Sequence, residues 1–151
     1  MRMTLAAITA RRKNRLLEDG LRAYVSRLGH YAPVEELLFP SETALWEGME
    51  RQARGPRKGP GKTVLLDSRG RLLSSEELAG WVGQQRDGGV AHLLFAIGPA
   101  DGWSREGRKR ADLLLSFGPM TFPHELARAM LAEQLYRAFT ILAGHPYHGG
   151  H

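Results

Sequence analysis

Short apolar runs alternate along the chain with longer segments in which apolar residues recur at the three- and four-residue spacing of a helix. We predict a strand at each of these runs, which lie at residues 3–9, 34–39, 63–67, 91–97 and 113–117. Strands that alternate with helices are typical of an α/β fold with a mostly parallel sheet. Residues 63–67 and 91–97 are apolar throughout, as strands covered on both faces are, so we place them at the sheet centre.

Helices are predicted between the strands. The first has an apolar stripe at Leu16, Leu17, Leu21, Val25 and Leu28. Ser41 is placed to cap the second helix, and the run from Ser74 to Glu77 is a capping box that starts the third. Ser104 can cap a further helix after the fourth strand.

The last predicted helix begins near Pro123 and Glu125 and is closed by Gly144. Its wide apolar stripe comprises Leu126, Ala127, Met130, Leu131, Leu135, Ala138, Phe139 and Leu142. One face of a small sheet covers only part of such a stripe, and a second subunit can cover the rest. The stripe therefore favours a homodimer.

The length of 151 residues corresponds to one domain, which we expect to span residues 1–151. Hydrophobic residues make up 42% and charged residues 25%, as in a globular protein. The chain has no cysteine, no apolar run long enough to cross a bilayer and, over residues 1–9, too short an apolar stretch for a signal peptide. We therefore expect a soluble, cytoplasmic protein that is not bound to a membrane.

The net charge of +5 makes a polyanionic partner plausible. Many basic residues of the chain fall in three groups: residues 11–15, the stretch 51–62 with five positive and no negative charges, and residues 105–110. Each group is either a solvated surface or a contact for nucleic acid. The sequence leaves open whether the 51–62 stretch contacts RNA.

Three loops follow predicted strands at the edge where open parallel sheets bind ligands. In residues 65–70, Asp67 either shapes a turn or contacts a ligand. In residues 97–104, glycines bracket a turn that is either structural or allows close approach of a ligand to the backbone. Residues 116–124 either pack a flat ring or close on their own Phe and Met side chains. The absence of GxGxxG and GxxxxGK[ST] spacings disfavours dinucleotide and nucleoside triphosphate enzymes.

Residues 144–151 contain three of the six histidines beside Tyr147. Because the chain has no cysteine and the spacing matches no common zinc pattern, no metal is expected. A polar cluster that docks a substrate or transfers protons is favoured instead. Arg128 and Arg137, in the apolar last helix, either face a partner or ligand or form ion pairs with Glu125 or Glu133.

The C-terminal third resembles the ribosomal RNA large-subunit methyltransferase H family of small SPOUT-class enzymes. The matching residues are Leu-Ser-Phe-Gly-Pro-Met-Thr-Phe-Pro-His at 115–124, then Arg128, Glu133-Gln134, Tyr136-Arg137-Ala138 and His145-Pro-Tyr-His148. The resemblance is strong over residues 91–148 and weaker but collinear from Met1.

The resemblance implies a SPOUT-like sheet with a C-terminal trefoil knot and a homodimer that binds S-adenosylmethionine in the knot. The implied reaction is methylation of N3 of a pseudouridine in 23S ribosomal RNA. The expected partner is this RNA within the assembled ribosome. Most of the site is implied within residues 91–148, and the cofactor contacts carried over by position are Leu66, Gly98, Phe117, Gly118, Pro119, Met120, Thr121 and Phe122.

Catalytic roles are expected for His148 or Tyr147, which accepts or relays the proton, and for Arg137 or Arg128, which offsets negative charge on the ring oxygens. Arg128 and His145 are expected to contact RNA. The chain departs from the family pattern at Gly98-Pro-Ala-Asp-Gly102, where a second glycine is replaced, and at Gly149, where a basic residue is usual. Two alternatives stay open: methylation of another RNA such as a transfer RNA, and a non-enzymatic RNA-binding ribosome assembly factor.

Overall fold

The computed structural model describes residues 1–9, 14–56 and 59–149 of the chain. Its elements in chain order are β1 (Arg2–Ile8), α1 (Arg15–Leu28), β2 (Val34–Phe39), α2 (Glu42–Ala53), β3 (Gly61–Leu72), α3 (Ser75–Asp87), β4 (His92–Ile97), α4 (Arg105–Lys109), β5 (Leu113–Ser116) and α5 (His124–Leu142). The predicted strands are confirmed to within one residue at each end, except for β3. That strand was expected at residues 63–67 and is longer at both ends.

All five strands lie parallel in one sheet, in the order β2-β1-β4-β3-β5. The parallel α/β architecture is therefore confirmed. The central strand is β4, as expected, and β3 lies between β4 and β5. The other neighbour of β4 is β1, which the apolar pattern did not place there. Every residue of β1 after Arg2 is buried, so apolar content alone does not distinguish β1 from β3.

The pairing of β3 with β5 is interrupted. Leu66 pairs with Leu115, and after the interruption Arg71 pairs with the same residue. The chain between them leaves the ladder as an extended bulge. Gly70 lies so close to β5 that a Cβ there would be 2.6 Å from the carbonyl carbon of Leu114. This position therefore requires glycine, and the end of β3 is pressed against β5. The trefoil knot stays a prediction.

Helices cover both faces of the sheet. One apolar cluster joins alternate residues of β1 and β4 to α1, α3 and α5. The other cluster joins the opposite residues of these strands to Leu45 of α2 and to Trp103. Since successive strand residues point to opposite faces, the continuous apolar runs of β1 and β4 supply both clusters.

The predicted helix caps are present. The Ser41 hydroxyl accepts a hydrogen bond from the backbone of Ala44 at the start of α2. Ser74 and Glu77 form the reciprocal capping box of α3. The Ser104 hydroxyl caps α4, which is a single short turn of helix. These caps fix where each helix begins relative to the strand end before it.

The apolar stripe of α5 is covered mostly within the chain. This helix packs against α1 and α3, and its buried residues are Ala127, Leu131, Ala132, Leu135, Ala138, Phe139 and Thr140. The prediction that the sheet covers part of the stripe and a second subunit the rest did not allow for these two helices. Met130 and Leu142 remain half-buried. The homodimer stays a prediction.

Candidate active site

Three segments, called the three loops below, meet around one cavity of about 400 Å³: residues 66–69 of β3, where its pairing with β5 is interrupted, and the loops that follow β4 and β5. Because the strands are parallel and adjacent, their carboxyl ends lie at one edge of the sheet. The residues expected to bind the cofactor that line this cavity are Leu66, Gly98, Phe117, Gly118, Met120, Thr121 and Phe122. Pro119 lies in the same loop but does not line the cavity. The cavity also includes residues 66–69, which precede the 91–148 segment in which the site was expected.

The loop predicted at residues 65–70 lies inside β3, which is longer than expected, at the bulge where its pairing with β5 is interrupted. There the Asp67 carboxylate is held by Arg69. Its Oδ1 accepts from the backbone N–H of Arg69 at 2.9 Å and from Nε at 3.0 Å, and its Oδ2 accepts from Nη2 at 3.0 Å. Burial raises the pKa of Asp67, but the hydrogen bonds and charge of Arg69 outweigh that effect and hold the pKa below its ordinary value. Asp67 therefore shapes the turn as a carboxylate, which was one of the two roles left open for it.

In the loop after β4, Trp103 explains the glycine at position 98. A Cβ on Gly98 would lie 2.7 Å from Cε2 of the indole, so the close approach predicted there is made by this side chain of the same chain. The indole Nε1 donates to the carbonyl oxygen of Leu66 at 3.0 Å. Sequence reasoning missed Trp103, although a tryptophan directly after a Gly-Pro turn was a usable signal.

The same loop turns tightly at Gly102. Its backbone N–H donates to the carbonyl of Pro99 at 2.9 Å, and its φ of +88° lies in the region that favours glycine. Pro99, which stands where the family has a second glycine, therefore accepts the hydrogen bond that closes this turn. The departure from the family pattern is compatible with an ordered loop.

In the loop after β5, the buried Ser116 hydroxyl connects two of the three loops. It accepts from the backbone N–H of Gly118 at 2.9 Å and donates to the carbonyl of Ser68 at 3.2 Å. Gly118 has a φ of +113°, which a side chain would strain. Met120 is 73% exposed, so this loop does not close on its methionine.

The residues expected to be catalytic form a separate cluster around Glu133. Its Oε1 accepts from Arg137 Nε at 3.0 Å and Nη2 at 2.7 Å, and from the Tyr147 hydroxyl at 3.1 Å. Arg137 Nη1 lies 3.0 Å from His148 Nδ1, and His148 Nε2 lies 2.7 Å from Glu76 Oε1. The ion pair between Arg137 and Glu133 was one of the alternatives predicted for Arg137, and it is confirmed.

The hydrogen bonds define which protons this cluster holds. A guanidinium only donates, so His148 Nδ1 accepts from Arg137 and its Nε2 donates to Glu76. This contact holds the pKa of Glu76 below its ordinary value. Burial and the hydrogen bonds to Tyr24 and Glu133 raise the pKa of Tyr147 far above its ordinary value. The phenol therefore stays protonated at neutral pH and acts as a donor.

One chain does not bring this cluster to the cavity. Ala127 lines the cavity, and Arg137 lies ten residues further along α5. At the helical rise per residue, that separation is about 15 Å along the axis. His145, expected to contact RNA, accepts from the backbone N–H of Tyr147 through its Nδ1 at 3.1 Å.

Arg128 is held in ion pairs inside the chain. Its Nη1 lies 2.9 Å from Glu18 of α1 and its Nη2 lies 3.4 Å from Glu36 of β2, and its side chain is 12% exposed. The predicted partner within α5 was wrong, because Glu125 instead accepts from the backbone N–H of Asn14. The carboxylates that pair with Arg128 come from elements far away in sequence, which spacing along one helix does not reveal.

A larger groove of about 580 Å³ lies beside the cavity and was not predicted. It is lined mostly by apolar side chains from five elements, among them Leu72, Leu78 and Met130, and Glu133 lies at its wall. Leu72 is 70% exposed. Phe117 lines both the groove and the cavity, so the two are adjacent.

Some basic residues have acidic partners. Lys62 lies 3.5 Å from Asp112, and Arg110 lies 3.4 Å from Glu50. The predictions for Arg11, Arg12, Lys13, Arg57, Lys58 and His151 lie outside the described residues.

Within residues 1–9, 14–56 and 59–149, no group of three or more potential ligands is placed to hold a metal ion. In the same ranges no helix is long and apolar enough to cross a membrane.

The parallel sheet, and the cavity at the carboxyl ends of its strands, define an α/β protein with a candidate ligand site at this edge. Residues 1–148 match the family described as "Predicted SPOUT methyltransferase". The chain belongs to this SPOUT methyltransferase family. Membership gives S-adenosylmethionine as the methyl donor, as the resemblance implied.

Two relatives carry the name "Ribosomal RNA large subunit methyltransferase H". The one from Koribacter versatilis is 52% identical, over 85% of this chain and 85% of its own length. The one from Rhodospirillum centenum is 46% identical, over 98% of this chain and 99% of its own length. A probable methylase family protein from Haemophilus influenzae has a similar fold, with a TM-score of 0.54 at 15% identity over 94% of this chain and 66% of that chain.

Proposed function

We propose that this protein methylates large-subunit ribosomal RNA and that its target is N3 of a pseudouridine in 23S RNA. The observation that carries the proposal is that the three loops meet around one cavity. Its support from relatives is the name of the two proteins that match most of this chain. The proposal places the protein in the cytoplasm, with the assembled ribosome as its partner.

The residues of the cavity fit S-adenosylmethionine. A volume of about 400 Å³ lies in the usual range for small-molecule sites. Apolar walls at Leu66, Phe117 and Phe122 suit the adenine ring. Pro119 is included in the proposed set because its loop forms one wall.

When bound, the cofactor supplies an electrophilic methyl group on its sulfonium. The ring nitrogen that receives this group must lose its proton, and the enzyme's main contribution is to hold the acceptor in line. Arg137, kept cationic by Glu133, is suited to offset negative charge on the ring oxygens. His148 accepts the proton only if its Nδ1 is released from Arg137. Tyr147, as a protonated phenol, is suited to donate a hydrogen bond to a ring oxygen once its hydroxyl is released from Glu133.

The separation of about 15 Å along α5 between the cavity and Arg137 leads us to a homodimer. In this arrangement, the cluster of one copy completes the cavity of the other. The apolar groove beside the cavity, with its exposed Leu72, is the surface on which we place the second copy. His145 and, once released from Glu18 and Glu36, Arg128 are then available to RNA.

The test is methyl transfer by the purified protein from isotopically labelled S-adenosylmethionine. Three acceptors are compared: 23S RNA, assembled large subunits and a transfer RNA pool, all from cells that lack the enzyme. We expect label in 23S RNA of the large subunit. Label only in transfer RNA would show that the substrate is a transfer RNA and not 23S RNA. Binding of ribosomal RNA without any detectable binding of S-adenosylmethionine at millimolar concentration would instead favour an assembly factor.

A further inference from the structure

Trp103 lies where the loop after β4 meets the bulge of β3. It is 4% exposed, and its indole packs against Gly98 on the wall of the cavity. The indole Nε1 donates to the carbonyl of Leu66 at 3.0 Å. One side chain therefore contacts two residues that line the cavity from different loops.

The hydrogen bond to Leu66 falls where the β3 ladder breaks. Leu66 pairs with Leu115, and the regular pairing of β3 with β5 is interrupted directly afterwards. A backbone carbonyl at such a break needs a donor from outside the ladder. The Trp103 N–H is that donor. A residue of the loop after β4 therefore holds β3 at the point where it leaves its ladder with β5.

The position of Trp103 is itself fixed from two sides. Its carbonyl accepts from Arg108 Nη1 of α4 at 2.8 Å. The next residue, Ser104, donates through its backbone N–H at 3.1 Å and its hydroxyl at 2.6 Å to the carboxylate of Glu42 at the start of α2. The indole is thus held by the framework of the sheet and its helices.

We propose that Trp103 is a positioning residue for the methyl donor. By holding the Leu66 carbonyl and packing on Gly98, it keeps two of the three loops in the arrangement that binds the donor. Affinity falls in proportion to the fraction of molecules in the competent arrangement. The inference rests on the proposed function of the cavity. Trp103 is not among the cofactor contacts that the resemblance to the family implies.

The test removes the N–H and keeps the shape. Trp103 is replaced by β-(3-benzothienyl)alanine, whose ring has the size of indole but no N–H, and separately by Trp103→Phe. The dissociation constant for S-adenosylmethionine is measured by calorimetry, and KM and kcat are measured with ribosomal RNA as acceptor. We expect the dissociation constant and the KM for the donor to rise about tenfold, while KM for RNA and kcat at saturating donor stay within about twofold.

The matched control is Trp81→Phe. The Trp81 ring lies 6.5 Å from that of Phe95 in the apolar cluster on the other face of the sheet, and it does not line the cavity. We expect donor affinity to be unchanged in this variant. Wild-type affinity in the folded benzothienyl variant would overturn the inference, and so would an equal loss in Trp81→Phe, because the effect would then come from packing in general. Failure of the wild-type protein to bind the donor is a different result, which would overturn the proposed function and the inference with it.

Discussion

Arg137 Nη1 lies 3.0 Å from His148 Nδ1, on the same ring whose Nε2 lies 2.7 Å from Glu76. Both ring nitrogens of His148 are therefore engaged inside the chain. Since the guanidinium only donates, His148 becomes a proton acceptor at Nδ1 when Arg137 turns to another acceptor. Under the proposed function, the oxygens of the target uracil ring are such acceptors. Substrate binding would then turn Arg137 away from His148 and free Nδ1 to accept the proton.

His148→Ala is expected to lower kcat by about a hundredfold and to leave the affinity for S-adenosylmethionine unchanged. The magnitude is that of a lost general base, and the affinity is retained because His148 is not among the residues that line the cavity. Single-turnover methylation and calorimetry measure the two quantities. His30→Ala, at an exposed position after α1, is the control and should match the wild type. Parent-rate methylation by His148→Ala would remove His148 from the mechanism.

Mixing two inactive variants is expected to restore methylation if the site is shared between copies. One is His148→Ala, and the other is Gly118→Val, whose side chain strains the positive-φ backbone of the donor loop. A mixed dimer has one site with an intact cavity and an intact cluster. Statistical exchange should therefore give about a quarter of wild-type activity.

The control is a mixture of the His148→Ala protein with the Tyr147→Phe protein. Both substitutions affect the same cluster, so neither variant should rescue the other. Sedimentation of each variant checks that it assembles as the wild type does. A monomeric wild-type protein at micromolar concentration, or no recovery in correctly assembled mixtures, would contradict the shared site.

Gly70→Ala is expected to destabilise the fold by about 3 kcal/mol, at the high end for overpacking, because the new Cβ meets the backbone of Leu114 and not a side chain that can move. Denaturant unfolding measures the change. Gly80→Ala is the control, since nothing lies within 4 Å of a Cβ there and the residue is in α3. That variant should gain about 0.5–1 kcal/mol. Equal stability of the two variants would contradict the close passage of β3 over β5.

Asp67→Asn is expected to cost about 1 kcal/mol of stability at pH 7. The pKa of Asp67 is lowered in the folded chain, so its contribution is present above the ordinary aspartate pKa and is lost as pH falls through the lowered value. The stability difference between variant and wild type should therefore shrink between pH 5 and the acid limit of folding. Urea unfolding at a series of pH values measures it, and a difference that grew on acidification would contradict the assignment.

The sequence predicted the local features well, because each depends on neighbouring residues. The capping serines 41, 74 and 104 and the strand runs are of this kind, and they are confirmed. The position of β1 beside β4 was not predictable, since its apolar run resembles that of β3. The partners of Arg128 and the indole bond of Trp103 to Leu66 join residues distant in sequence, and spacing carries no signal for such contacts.

The candidate cavity was predictable in part. Residues after three strands were selected because parallel strands end at one edge, and all three loops line the cavity. The distance between this cavity and the cluster around Glu133 was not predictable, because the residues expected to act together lie in separate parts of the fold. The resemblance to a family implied their shared role without their geometry.

The most direct test is mass spectrometry of 23S ribosomal RNA from cells with and without this protein. The account predicts that one pseudouridine loses a single methyl group in the cells that lack the protein and regains it when the wild-type gene, but not the His148→Ala form, is returned. An unchanged map of modified nucleotides in 23S RNA would contradict it.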